Sequence, residues 1–200
     1  MKLLDFPSRH IDLALSLSDR IEMLEFSIYD SRRGSEEHAR RVFRTRVADL
    51  TKWWSSTVPN LTEYEEIGLN SRVKILGQKE FFHIPMIDLK GGVRLDLERI
   101  EKFLCAECPE VLPLQWFSSG RSFHAYGATL LSNQQWRYFM ETLLLYRSQE
   151  SSIAIDTRWV GHRLRAGYAC LRLTMNTAKY VDIPKLLELP TNHSRRTEAA

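Results

Sequence analysis

The chain has 200 residues, 44% hydrophobic and 26% charged, with a formal net charge of +3 and a pI near 8.8. That length carries one domain with a proper core, and the composition is that of an ordinary globular protein rather than a disordered or fibrous one. No run approaches the roughly 18 apolar residues needed to span a bilayer, and the mild basicity permits a phosphate-bearing partner without demanding one.

In chain order, the N-terminus is broken by Asp5, Arg9 and Asp12. It lacks a continuous apolar signal segment, so a cytoplasmic location with no membrane association is expected. Residues 8–30 read as a short helix followed by a strand containing Ile21, Met23, Phe26 and Ile28, with a turn around Gly34. Arginine is concentrated at Arg32, Arg33, Arg40, Arg41, Arg44 and Arg46; such a cluster is either a solvated face or a surface that meets a nucleic-acid backbone. From Glu36 to Ser55, Ala39, Val42, Phe43, Val47, Leu50, Trp53 and Trp54 recur at helical spacing, which predicts one amphipathic helix. Val73–Leu76 reads as a short strand. Glu80–Leu89 reads as a second, buried strand, with Pro85 placing it at an edge or bulge.

Further along, Asp96 to about Cys105 reads as a helix with Leu97, Ile100 and Leu104 inward. Cys105 and Cys108 form a CxxC without the second ligand pair of a zinc ribbon; with Cys170 they read as plain core or surface cysteines. Leu112–Ser118 and Ser122–Ala128 predict two strands joined at Gly120. Ser132 with Gln135 is a capping box opening a helix that carries Trp136, Phe139, Met140, Leu143 and Leu144. Ile153–Asp156 and Ala169–Leu173 are short strands, and the polar tail at 190–200 predicts disorder. Strands, hairpins and helices in this order favour an α+β fold: a mixed or antiparallel sheet layered with helices, in a single domain over 1–189 whose first 60 or so residues form a helical and strand portion.

Four features carry chemistry. Asp88 ends an apolar strand, where a carboxylate is costly unless paired or metal-bound. In Ser118-Ser119-Gly120-Arg121-Ser122-Phe123-His124, a glycine turn feeds a strand on which Ser122 and His124 share one face; that pair can meet an oxyanion. Asp156 closes a second apolar stretch. Arg172 lies in Leu171-Arg172-Leu173, with Lys179 after it.

Together, and in this order, these features resemble the catalytic core of the archaeo-eukaryotic primase (primase-polymerase) superfamily. In that family a strand ends in an acid-x-acid pair. A small-x-His motif, a third strand-end acid and an Arg-containing strand with a later lysine follow. The resemblance covers about half the chain, residues 88–180, and Ser-Gly-Arg-Ser-Phe-His is its most specific part. It implies an RRM-like catalytic core and metal-dependent nucleotidyl transfer in primer synthesis for DNA replication or repair. Asp88 and Asp156 would be ligands of Mg²⁺ or Mn²⁺ and, with His124, the catalytic set. Ser122, His124, Arg121, Lys90, Arg172 and Lys179 would hold the nucleoside triphosphate. A DNA or RNA template, and a helicase or other replication protein, would be the partners.

Lys90 and Thr174 depart from the family pattern. Lys90 stands where the second acid belongs, so three carboxylates at −3 become Asp88, Lys90 and Asp156 at −1, and an ammonium repels a divalent ion. Asp96 and Glu98 are nearby acids whose context suits helix N-terminal dipole partners. Proline is usual where Thr174 stands. The alternative reading is therefore a degenerate primase fold that binds nucleotide or nucleic acid without turnover, Lys90 acting as a phosphate-binding point charge. A DNA-nicking initiator would need a His-x-His pair, which the chain lacks; a domain serving only as a partner-binding scaffold is the remaining reading.

Overall fold

The computed structural model describes residues 5–32, 40–90, 94–146 and 155–188. The predicted Gly34 turn, Ile153 and Ala154, the 190–200 tail and Arg33 lie outside the described residues.

A first sheet holds β1 (Ile21–Asp30), β2 (Arg40–Arg46), β3 (Glu65–Ile75) and β4 (Phe81–His83) in the order β2-β1-β3-β4, and β8 (Cys170–Arg172) also pairs with β3. A second sheet holds β5 (Met86–Asp88), β6 (Gln115–Ser118), β7 (Phe123–Tyr126) and β9 (Lys185–Leu186) in the order β5-β7-β6-β9. Every strand pairing is antiparallel. The helices are α1 (Ser8–Ser16), α2 (Leu50–Thr57), α3 (Arg94–Glu107), α4 (Asn133–Leu143) and α5 (Thr157–Ala166). The fold is thus α+β, with helices layered on antiparallel sheets, as the order of elements predicts.

The long helix predicted over 36–55 is not there in its described part, 40–55; residues 36–39 lie outside the described residues. Arg40–Arg46 is β2, an edge strand, and Leu50–Thr57 is α-helical, after a 3-10 turn at Val47–Asp49. The apolar residues that matched a 3.6 period serve two elements. In β2 the alternation puts Phe43 opposite Phe26 and Thr45 opposite Leu24, on the core side. In α2, Trp53 stacks on Phe26 at 4.5 Å between ring centroids and Trp54 is buried. Phe26 is 1% exposed, and burying such a ring contributes about 2–3 kcal/mol. The two tryptophans are therefore core anchors, and non-local pairing with β1 has overridden a local helical pattern.

Glu80–Leu89, predicted as one strand, is two. β4 pairs with β3 in the first sheet, and β5 pairs with β7 in the second. The break falls at Ile84-Pro85. Pro85 has no N–H for a ladder; its carbonyl accepts from Gly127 N at 2.9 Å, while Ile84 N donates to Ser71 O at 2.8 Å. The chain thereby crosses from one sheet to the other just before Asp88. The β6–β7 hairpin runs as predicted through Gly120, whose φ of +99° suits glycine.

The capping box is present: Ser132 accepts from Gln135 N, and Ser132 N donates to the Gln135 side chain at 2.9 Å. It starts α4, which packs Trp136 on His83 with rings 4.5 Å apart. His83 is fully buried and pairs with Ser71 Oγ at 2.9 Å and Asn133 Oδ1 at 2.7 Å, a satisfied structural histidine. Cys108 is buried and Cys105 exposed at the end of α3. Among the described residues no helix is long and apolar enough to cross a membrane.

Candidate functional site

The two sheets meet around a cavity of about 460 Å³. Its wall is built first by β5 and β7. Asp88 and His124 are cross-strand partners there, and His124 Nε2 lies 3.5 Å from Asp88 Oδ1. One residue on, Leu89 bridges Ile155 and Asp88 O accepts from Asp156 N at 3.1 Å, which sets the second aspartate beside the first. Asp156 is also the N-cap of α5, accepting from Trp159 N at 3.0 Å. β8, entering from the first sheet, contributes Arg172.

Of the residues singled out by sequence, Asp88, Arg121, Ser122, His124, Asp156, Arg172 and Lys179 all line this one cavity. Lys90 is not among its lining residues. It is exposed, because regular pairing ends at Asp88 and the two-residue alternation that would have put both side chains on one face stops with it. Tyr29, Arg158, Trp159 and Tyr180 also line the cavity and are not among the residues singled out by sequence; they are joined by Ser119 from the Ser-Gly run and by Arg40, which the sequence assigns to the arginine cluster and not to this site. Arg158 could have been found, since Asp156 as N-cap and Gly167 in the left-handed C-terminal position announce α5. Tyr29 and Arg40 arrive through non-local pairing and leave no local signal.

The cavity's charges are unequal. Asp88 and Asp156 face five basic side chains, Arg40, Arg121, Arg158, Arg172 and Lys179. Arg172 is 5% exposed and donates Nη2 to Ser119 O and to Asp182 O, each at 3.0 Å, and Nη1 to Thr174 O. Its guanidinium lies 4.0 Å over the Tyr180 ring. Lys179 Nζ donates to Ser31 O at 2.6 Å, and Ser122 Oγ donates to Leu89 O, tying the β5 end to the hairpin.

Burial, and then the neighbouring Asp156, push the Asp88 carboxyl up to about 7, against the pull of Arg172 and Arg163. Burial, helped by Arg172 and His10, pushes His124 down to about 3, so its ring is neutral at physiological pH. His124 Nδ1 is buried without a hydrogen-bond partner among the described residues. A neutral imidazole beside two close carboxylates leaves their mutual repulsion uncompensated from that side.

Two carboxylates crowded at one wall offer hard oxygen ligands of the kind Mg²⁺ and Mn²⁺ take, and a cation between them relieves the repulsion that raises Asp88. No group of three acidic, histidine or cysteine ligands is assembled among the described residues. Among the described residues the donor set fits one divalent cation completed by water or phosphate oxygens, and no third carboxylate joins Asp88 and Asp156.

Residues 46–185 match the model of a family described as archaeo-eukaryotic primase 1D-like. The match spans well over half of the chain, and the chain belongs to that family. Neither the curated proteins nor the solved structures include a significant match.

Proposed function

We propose that this cavity binds a nucleoside triphosphate with one Mg²⁺ or Mn²⁺ and that the protein joins nucleotides to a nucleic-acid strand, as a primase does in replication or repair. The observation that carries this reading is the convergence, in one cavity, of two adjacent carboxylates with five cations and a neutral histidine. Asp88 and Asp156 hold the cation. Arg121, Arg158, Arg172 and Lys179 supply the positive field for the phosphates. His124 presents a neutral ring, able to hydrogen-bond a phosphate oxygen without repelling the cation. A bound divalent ion contributes neutralisation of charge on the transferring phosphoryl group. Template, primer strand and any replication partner belong to the same proposal.

The second reading is nucleotide binding without turnover. It is favoured by the cavity wall, where among the described residues two carboxylates and no third are paired, and by the exposed Lys90 in the place of an acid. Nucleotide incorporation opposite a primed template with Mn²⁺ separates the two. Incorporation by the wild type, lost in Asp88→Ala, supports the enzyme. Wild-type binding of a labelled nucleotide without incorporation supports the degenerate site. If no nucleotide binds to the wild type, both readings fail.

A further inference from the structure

The arginine cluster that the sequence placed on a helix lies instead on β2, the edge strand of the first sheet. A strand alternates its side chains across the sheet. Phe43 and Thr45 take the core side, so Arg40, Val42, Arg44 and Arg46 take the other. The register extends this second face across the sheet. Arg46 is opposite Met23, Met23 opposite Lys74, and Lys74 opposite Phe81. Arg44 is opposite Glu25, whose carboxylate also receives Arg72 at 2.8 Å. Arg40 is opposite Tyr29, and both line the cavity.

Like charges are thus gathered on one face. Arg44, Arg72 and Lys74 all lie over the Phe81 ring, at 4.9, 5.7 and 5.3 Å from its centroid. Arg72 also lies 4.5 Å from the Tyr168 centroid and Arg40 4.3 Å from that of Tyr29. Glu25 is the carboxylate shared by Arg44 and Arg72, and it is 1% exposed. The Arg44 side chain keeps 48% of its exposure, and Arg46 is exposed. Holding Arg40, Arg44, Arg46, Arg72 and Lys74 side by side costs free energy through mutual repulsion, which a polyanion laid along the face would offset. Alternate residues of a strand are about 6.8 Å apart, a spacing comparable with that of successive phosphates on an extended single strand.

We propose that a single-stranded nucleic acid runs along this face, its phosphates on Arg44, Arg46, Arg72 and Lys74, and reaches the cavity past Arg40 and Tyr29. Arg40 and Arg44 lie before the residues matched to the family, and Arg46, Arg72 and Lys74 lie within them. The direction of the strand, toward the cavity, rests on the nucleotidyl-transfer reading; the binding face itself does not.

The test is fluorescence anisotropy with a labelled oligothymidylate at several salt concentrations, using the full chain. Arg46→Glu with Lys74→Glu removes two contacts without touching the partners of buried Glu25. The affinity of this variant is expected to fall at least about tenfold, and the slope of log K against log salt to shrink by about 1.4, or about 0.7 per lost phosphate contact on a single strand. Lys52→Glu with Lys102→Glu makes the same change in charge on α2, which packs on the opposite face, and on α3; it should leave binding within about twofold. Thermal melting of each variant confirms that it folds.

Equal affinity of the Arg46/Lys74 variant and wild type overturns the proposal. So does equal competition by duplex DNA, or by polyglutamate, which would make the face a duplex or acidic-protein surface. Nucleotide binding with Mn²⁺, measured separately on the same variants, should be unchanged; its absence in the wild type would sink the function proposed for the cavity and leave the oligonucleotide result standing.

Discussion

Asp88 and His124 face each other across the β5–β7 ladder with 3.5 Å between Oδ1 and Nε2, yet their charges run opposite to an ordinary aspartate–histidine pair. The carboxyl is raised to about 7 and the imidazole lowered to about 3. Between about pH 3 and 7 both are uncharged; above that only Asp88 is charged. A divalent cation must therefore displace a proton from Asp88 at acid pH. Mn²⁺ affinity, followed by the electron paramagnetic resonance of free Mn²⁺ between pH 5.5 and 8.5, should rise about tenfold per unit up to about pH 7 and level off above it. Asp88→Asn should abolish both the binding and its pH dependence. A flat profile in the wild type would mean that Asp88 is not a ligand.

Asp156 does two jobs that substitution can separate. As the N-cap of α5 it accepts from Trp159 N, and asparagine caps nearly as well as aspartate. Asp156→Asn should keep the thermal stability of wild type while losing at least about tenfold in Mn²⁺ affinity. Asp156→Ala should lose the cap as well, at a cost of about 1 kcal/mol in a urea melt. If Asn retains full metal affinity, the second carboxylate is only a cap.

Much of this was legible because its signals are local. The strand-end Asp88, the Gly120 turn, the Ser-Phe-His alternation and the Ser132 capping box each follow from a few neighbouring residues. The failures have a common physical cause. Arg40–Arg46 matched a helical template, but pairing with β1, distant in sequence, turned it into an edge strand. Glu80–Leu89 is uniformly apolar, which says that it is buried and not that it serves two sheets; only Pro85 hinted at the break. Lys90 was placed by extending the strand's alternation two residues past Asp88, one step beyond where regular pairing ends. Tyr29, Arg40 and Tyr180 reach the cavity from three separate stretches of chain, and no single window holds that information.

Three buried histidines make the fold acid-labile. Burial lowers His10 and His83 to about 4 and His124 to about 3, from 6.5. Each is held neutral when folded, so the unfolded chain takes up these protons first. Their contribution is complete above about pH 6.5 and is lost as pH falls toward 4. Asp88 has the opposite sign: its raised value stabilises the folded chain below 3.8, and that contribution is lost as pH rises through about 7. Three protons outweigh one. Stability from urea melts should fall by about 3 kcal/mol per pH unit between about pH 6 and 4.5. His10→Phe, which keeps an aromatic ring against Phe117 (4.1 Å from the His10 ring), leaves one net proton of two and should flatten that slope by about half. A slope unchanged by the substitution would show that His10 is not among the groups responsible.

Gly68 links the first sheet to the cavity. It is opposite Arg172 in the β3–β8 register, and a Cβ there would lie 2.5 Å from Cys170 Sγ and 3.0 Å from Leu171 O. Neither neighbour can retreat cheaply: Cys170 is 6% exposed and Leu171 O belongs to the strand backbone. Gly68→Ala should therefore push β8 away from β3 and cost about 1–3 kcal/mol. Because β8 carries Arg172, the same substitution should weaken nucleotide binding, although Gly68 is not among the residues that line the cavity. Cys170→Ala removes the nearer obstacle and leaves the carbonyl, so the double variant should recover part of both losses. If Gly68→Ala melts like wild type, β8 does not pack as closely on β3 as these distances require; if it melts lower but binds nucleotide normally, Arg172 does not act on the phosphates.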